Sequence, residues 1–435
     1  MLQTAGSSNV LIEHTALGNT VYEPLRVDTV SLRLGGIAQI TDRIGEPGGW
    51  RVMEVGDGNL NLVFVVTGER GRIVVKQALP YVRAAGESWP LSLNRAYFEQ
   101  HALTRLGQRA PDRLPQLYLF DPAQALQVIE HLYPHVILRK QLIAGKFLPG
   151  LALQLGTYLA RSLFRGSDLC MPTAQLKADV ALFLGNSELT GITEDLFFTD
   201  PFCECSRNRH TPGLDADAAV VRRDRELKIA ALELKCRFST VRQTLLHGDL
   251  HTGSVMVCDA DTKIIDAEFA SYGPMGFDLG SLLGNLWLAY FAQAAHRGSV
   301  EDCAAYCSWI LQVVAEIWGV FAAEFSQLWR TERNGILGGR DLFELQDDPG
   351  GAEIVLHSTL EAIWEDTLGY AGLEMHRRIL GFAHVADFES IADDAMRAAC
   401  ARKALAAGRQ LTVYRRSLKT VAQANALVAG QGLAC

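Results

Sequence analysis

The stretch from residue 247 to 280, HGDLHTGSVMVCDADTKIIDAEFASYGPMGFDLG, decides how this chain is read. It opens on a tight turn carrying Asp249, continues through an apolar run over 254–258, and turns at Asp259-Ala260-Asp261. A second apolar run over 263–265 then ends in two carboxylates, Asp266 and Glu268. Two short strands joined by a turn return the chain on itself and place Asp249 and the Asp266/Glu268 pair at the same end of a small hairpin. The i, i+2 spacing of the pair predicts two carboxylates on one strand face. Carboxylates gathered in this way suit phosphoryl transfer, one orienting a hydroxyl while others hold a Mg²⁺ that bridges phosphates.

Working backwards, Trp50 to Val55, Leu60 to Val66 and Ile73 to Lys76 read as three antiparallel strands, with Gly56-Asp57-Gly58-Asn59 between the first two. A glycine loop lets backbone N–H groups approach phosphate, although the same pattern is an ordinary hairpin turn. Asn59 equally suits a phosphate bond or a turn-stabilising one. Lys76 ends its strand, where an ammonium can pair nucleotide phosphates. The segment 92–106 reads as a helix capped by Ser92; Glu99 in its middle, or Glu87 before it, would hold Lys76. Strands over 116–120 and 126–129 complete a five-stranded lobe, and Glu130-His131-Leu132 leaves it as a hinge whose backbone can read an adenine. Upstream, 27–40 alternates in part and suggests an edge strand or a docking arm.

From about Pro149 the pattern is helical. Helices are expected over 151–164, 173–183, 192–196 after a polar break at 186–191, 215–238, 281–297, 300–325, 352–369, 373–382 and 391–425. An irregular insertion is expected at 326–351. The fold class expected is α+β and bilobal, with residues 1–130 a nucleotide-binding lobe of sheet plus helix and 131–435 a larger, mainly helical catalytic and substrate-binding lobe.

Composition bounds the function. The chain has 435 residues, 49% hydrophobic and 21% charged, which fits two ordinary globular lobes. A net charge of −8 argues against general nucleic-acid binding. The apolar segment 279–295 is too short and too polar for a membrane span, and the first twelve residues lack a secretory signal, so no membrane partner is expected. Nine cysteines include Cys203-Glu204-Cys205 and Cys303/Cys307, but neither has a matching second pair for zinc. Free buried thiols in a reducing cytoplasm are the simpler reading.

The order of Gly-rich hairpin, strand lysine, helix glutamate, hinge, HGD and Asp-x-Glu resembles the small-molecule branch of the protein-kinase-like fold, with its aminoglycoside, choline and homoserine kinases. Longer segments are similar to the 5-methylthioribose kinase family in particular: GDGNLNLVF at 56–64, VVKQALPYVR at 74–83, ESWPLSLNRAYFE at 87–99, LLHGDLHTGSVMV at 245–257, DAEFASYGPMGFDLG at 266–280 and HRRILGFAHVAD at 376–387. The resemblance implies ATP-dependent phosphorylation of the anomeric hydroxyl of 5-methylthioribose in methionine salvage, by a cytoplasmic homodimer. It implies Asp249 as the base that orients this hydroxyl and Asp266 and Glu268 as Mg²⁺ ligands, with Ala267 between them at the ATP site. It further implies Asn59 and Lys76 on ATP phosphates, Glu99 behind the lysine, and Glu130, His131 and Leu132 at the adenine. Arg377 and Arg378 match a twin arginine associated with substrate. Adjacent helix residues diverge by about 100°, so one binds while the other is free to make a salt bridge. Where most of the wider superfamily has a metal-binding Asn, five residues beyond Asp249, this chain has Ser254, as the narrower family does; Glu268 would take over part of the coordination. Two other readings remain at this point: a kinase of the same fold for a different small alcohol, and a catalytically silent nucleotide-binding protein. His247 and His251 are expected to hydrogen-bond the loop, Asp278 to anchor it, and Trp89 and Trp364 to pack.

Overall fold

The structure, a computed structural model, describes residues 21–56, 60–83, 86–337 and 339–432. Asn59 falls outside them. The chain divides into two compact units, one built from the residues up to 101 together with 115–131, the other from 102–114 and 132 onwards.

The first unit is built on a five-stranded antiparallel sheet in the spatial order Arg51–Glu54, Asn61–Thr67, Arg72–Ala78, Leu126–Glu130, Leu117–Asp121. The buried face carries Phe64, Val66, Ile73, Val75, Leu126 and Val128 at period two. Against it pack Val30, Leu34, Ile40 and Ile44. These four belong to two helices, Val27–Leu34 and Ala38–Ile44, where the sequence suggested an edge strand or an arm. The apolar residues at 30, 34, 40 and 44 follow a helical period broken by the glycine pair at 35–36, which had been read as alternation. A small hairpin, Tyr81–Val82 with Gly86–Pro90, is the unexpected addition.

In the second unit the helix Gly276–His296 is buried over eighteen consecutive residues, and Pro349–Leu380 packs along it. The contact is made by glycines. A Cβ on Gly276, Gly280 or Gly284 would lie 2.5 Å from Asp366 Cβ, 2.7 Å from Thr367 O and 2.8 Å from Ala371 O respectively. Phe277, Phe197, Phe198, Phe238 and Tyr370 fill the space beside this contact, each large ring contributing about 2–3 kcal/mol of burial. Helix Val300–Thr331 is long and apolar enough to cross a membrane; its Ile310, Val314, Ile317 and Phe321 are buried, and Phe325 meets Phe164 edge-on at 5.1 Å.

Several helix boundaries differ from the pattern reading, each for a local reason. Pro349–Leu380 is one helix rather than two, because Gly372 serves close packing: a Cβ there would stand 2.2 Å from Gly408 O. The expected helix 215–238 is two, Asp215–Arg223 and Arg225–Thr240. Asp224 between them turns extended and accepts the Leu227 N–H as an N-cap. The polar 186–191 break is the start of helix Ser187–Leu196, and 391–425 divides into Asp394–Val413 and Val421–Gly430. The eight described cysteines are free, but only Cys303, Cys307 and Cys400 are buried; Cys236 is exposed and the other four are half-buried.

Candidate active site

In the first unit, Lys76 and Glu99 form an ion pair at 2.7 Å. Strand Arg72–Ala78 supplies the lysine and helix Arg95–Arg109 the glutamate. Gln127, opposite Lys76 on the next strand, donates to the other Glu99 oxygen at 3.0 Å. Glu87 is exposed on the small hairpin. Glu130 ends its strand and its carboxylate accepts the Gln116 N–H at 3.1 Å. His131 follows, its ring pushed down in pKa by burial and by Arg72. Leu132 is buried.

In the second unit the decisive stretch folds as a pair of loops pressed together. Val255–Val257 and Thr262–Ile264 form the expected antiparallel hairpin, with Val136–Ile137 added as a third strand. At its open end, His247 bridges the loops: its ring contacts Ile265 O at 2.8 Å and accepts the Asp249 N–H at 3.3 Å. Gly248 has φ +85°, and a Cβ there would stand 2.1 Å from Phe269 O, so only glycine fits. Asp278, at the N-terminus of the buried helix, accepts the N–H groups of His247 and Gly248 at 2.7 and 3.0 Å, the anchor expected of it.

The second carboxylate pair is arranged differently from the expectation. Asp266 adopts the left-handed conformation, φ 65° and ψ 47°, and Ala267–Phe269 is a single 3₁₀ turn. Asp266 and Glu268 therefore do not share a strand face, because the strand ends at Ile264 and aspartate tolerates the left-handed turn that follows. Asn186 pins this turn by donating to Glu268 O and Ala270 O at 2.8 and 3.0 Å. Ala267 and Glu268 are buried. Ser254 Oγ donates to Asp249 O at 2.9 Å, bracing the loop.

Asp249 is the centre of a web of charge. Arg377 Nη1 and Arg378 Nη2 both donate to its Oδ1, at 3.2 Å each. The two arginines thus converge where helix geometry alone suggested divergence; they sit in the last turn of Pro349–Leu380, where the helix dipole favours cations. His251 Nε2 faces Asp249 Oδ2 at 3.4 Å, while its Nδ1 accepts the Gly253 N–H at 2.9 Å. Because Nδ1 accepts, the proton of the neutral ring is on Nε2, toward the carboxylate. Burial penalises the Asp249 carboxylate, but His251, Arg377 and Arg378 outweigh it and hold its pKa well below the ordinary range. Burial pushes His251 down to about 4 despite the pull of Asp249. Trp364 packs on Trp318 at 4.6 Å and donates to Leu418 O.

Sequence reasoning missed the residues behind this web. Glu374, Asn285, Arg139 and Asp387 are buried or nearly so around the twin arginine. Glu374 was recognisable as an acid three and four residues before two arginines; Asn285 as an amide in the middle of a largely apolar helix. Arg139 carried no signal.

The site has close relatives. The model of the phosphotransferase enzyme family matches residues 51–316. A methylthioribose kinase of Escherichia coli O45:K1 is 45% identical over 92% of this chain and 96% of that protein. The chain belongs to the methylthioribose kinase family. Methylthioribose kinase 1 of Oryza sativa subsp. japonica is 44% identical over 86% of this chain and 87% of its own length, so the family's likeness to this chain spans bacteria and a plant. It is a family of phosphoryl-transferring enzymes with ATP as donor, and the chain is a small-molecule kinase.

Proposed function

We propose that the chain transfers the γ-phosphoryl group of ATP to the anomeric C1 hydroxyl of 5-methylthioribose, forming the 1-phosphate and ADP in methionine salvage. The observation that carries this is the Asp249 carboxylate, ionised by the two guanidiniums that fork onto Oδ1, in a member of this family. A carboxylate held so far below its ordinary pKa is a weak base. Its task is to accept a hydrogen bond from the hydroxyl, align the oxygen in line with the phosphorus, and take the proton late, when bond formation has acidified it. Arg377 and Arg378, with five N–H donors each, retain capacity for substrate and phosphoryl oxygens. Lys76, steadied by Glu99, would bind ATP phosphates, with Asn59 beside them and the backbone of Glu130, His131 and Leu132 reading adenine; Ala267 would lie at the same nucleotide.

Mg²⁺ is part of the reading. Among the described residues no group of three or more His, Cys, Asp or Glu forms a metal cage. One or two carboxylates with phosphate and water complete a Mg²⁺ shell, however, and Asp266 and Glu268 on one rigid turn fit that donor set. Bound there, the ion would offset charge on the phosphate oxygens. A homodimer in the cytoplasm completes the proposal; the outward Ile229 and Leu232 of helix Arg225–Thr240 are exposed and one turn apart. The test is ADP release with ATP, Mg²⁺ and 5-methylthioribose, against ribose and choline. Turnover should be at least a hundredfold greater with methylthioribose (about 3 kcal/mol of discrimination); equal rates on all three would refute the substrate assignment.

A further inference from the structure

Glu374 has no exposed surface and holds more charge together than any role in a helix core requires. It precedes Arg377 by three residues and Arg378 by four, so all three side chains share one helix face. Its carboxylate accepts from Arg377 Nη1 at 3.2 Å, from Arg378 Nε at 2.5 Å, and from Asn285 Nδ2 of the neighbouring helix at 2.8 Å. Asn285 Oδ1 accepts from Arg139 Nη2 at 2.9 Å, and Arg139 meets the buried Asp387 at 2.9 Å. A fully buried carboxylate is costly, and an apolar side chain would serve a helix contact at no such cost. Two guanidiniums on one carboxylate oxygen repel each other, and a second anion between them is what lets both stay.

We infer that Glu374 is a positioning residue: it grips Arg377 and Arg378 from one side so that both present to Oδ1 of Asp249, which leaves Oδ2 as the oxygen that receives the acceptor hydroxyl. The identity of that hydroxyl rests on the kinase reading above; the fork itself does not. His251 Nε2, at 3.4 Å, lines the Oδ2 side without closing it. Asn285 fixes Glu374 in turn, so the grip extends to a second helix.

Glu374→Gln keeps the shape and removes the charge; one amide oxygen cannot serve two guanidiniums and Asn285 together. Expected is a fall in kcat of about 10²-fold, the loss typical of a misplaced catalytic group, with the Kd for ATP unchanged. In an Arg378→Lys background the same substitution should cost less than about 3-fold, because the fork is already broken. Additive effects would overturn the inference, since a merely structural Glu374 acts independently of the arginine. If Glu374→Gln does not fold, Asn285→Ala takes its place in the same cycle, with a smaller fall in kcat and the same non-additivity expected. If the unaltered chain does not turn over methylthioribose, the substrate reading fails, and NMR of the Arg Nε–H groups decides the fork alone. The Arg378 Nε–H signal should be slow to exchange in the parent protein and exchange freely in Glu374→Gln or Asn285→Ala; an unchanged signal would refute the grip.

Discussion

Lys76 and Glu99 meet as one buried pair steadied by a neutral amide, whereas Asp249 meets two guanidiniums and a histidine, with a further carboxylate behind them. The pair lies between a strand and a helix; the web draws on a loop and several helices. A pair fails as a unit, because removing either charge strands the other in a poor solvent for it. In a web each group answers to several others, so removing one shifts the placing of the rest. In the proposed reaction the difference would serve chemistry: the lysine would present a single positive charge, while Asp249 would be held in one orientation as well as kept ionised.

That contrast can be broken by removing the centre of each. Asp249→Asn should lower kcat about 10³-fold or more while leaving ATP binding nearly intact, since no charged atom of the first unit is touched. An unchanged kcat would remove Asp249 from the chemistry. Lys76→Met leaves Glu99 buried without its cation and should lose about 3 kcal/mol of stability as well as raise the KM for ATP. A melt indistinguishable from the parent would mean that Glu99 finds another partner and the pair is no unit. The web carries a pH signature. His251 in the web, and outside it His376, whose Nδ1 faces Gly372 O at 2.7 Å in the core of helix Pro349–Leu380, are each pushed by burial to about 4, so the folded chain binds fewer protons than the unfolded chain between there and the ordinary 6.5. Stability contributed by each neutral ring is complete above about pH 6.5 and falls as pH drops toward 4, by roughly 2 kcal/mol per ring at pH 5. Equal urea stability at pH 7 and pH 5 would contradict it. Smallest in effect, Glu268→Ala should raise the Mg²⁺ concentration needed for half-maximal rate several-fold, with Asp266 and phosphate retaining the ion. An identical Mg²⁺ titration would show that Glu268 is no ligand.

Much of this was legible. The five strands announced themselves by alternation and by glycine turns, and the His247–Gly280 stretch by the spacing of its carboxylates between two short apolar runs. Less legible was anything that depended on what lies across a contact. Gly369 and Gly372 read as a helix break until Leu234 and the Gly408 carbonyl were seen against them. The helices at 27–44 were hidden because a short amphipathic helix and a loose alternation bury similar residues. Asp266 and Glu268 were placed on one face by counting in twos, which holds only while the strand continues. The arginines were expected to part because helix rotation is a property of backbones; their long side chains, drawn by two carboxylates, close the angle.

The glycines at 276, 280 and 284 set how near two helices lie. One of those helices carries Asp278, which holds the backbone of the HGD turn, and the other carries Arg377 and Arg378, which hold its carboxylate. The spacing between them is therefore a gauge for the HGD loop, calibrated by missing methyl groups. Enlarging Gly280 by a single carbon would push apart the two hands that hold one aspartate, and a change made wholly inside the hydrophobic core would register as an error of aim.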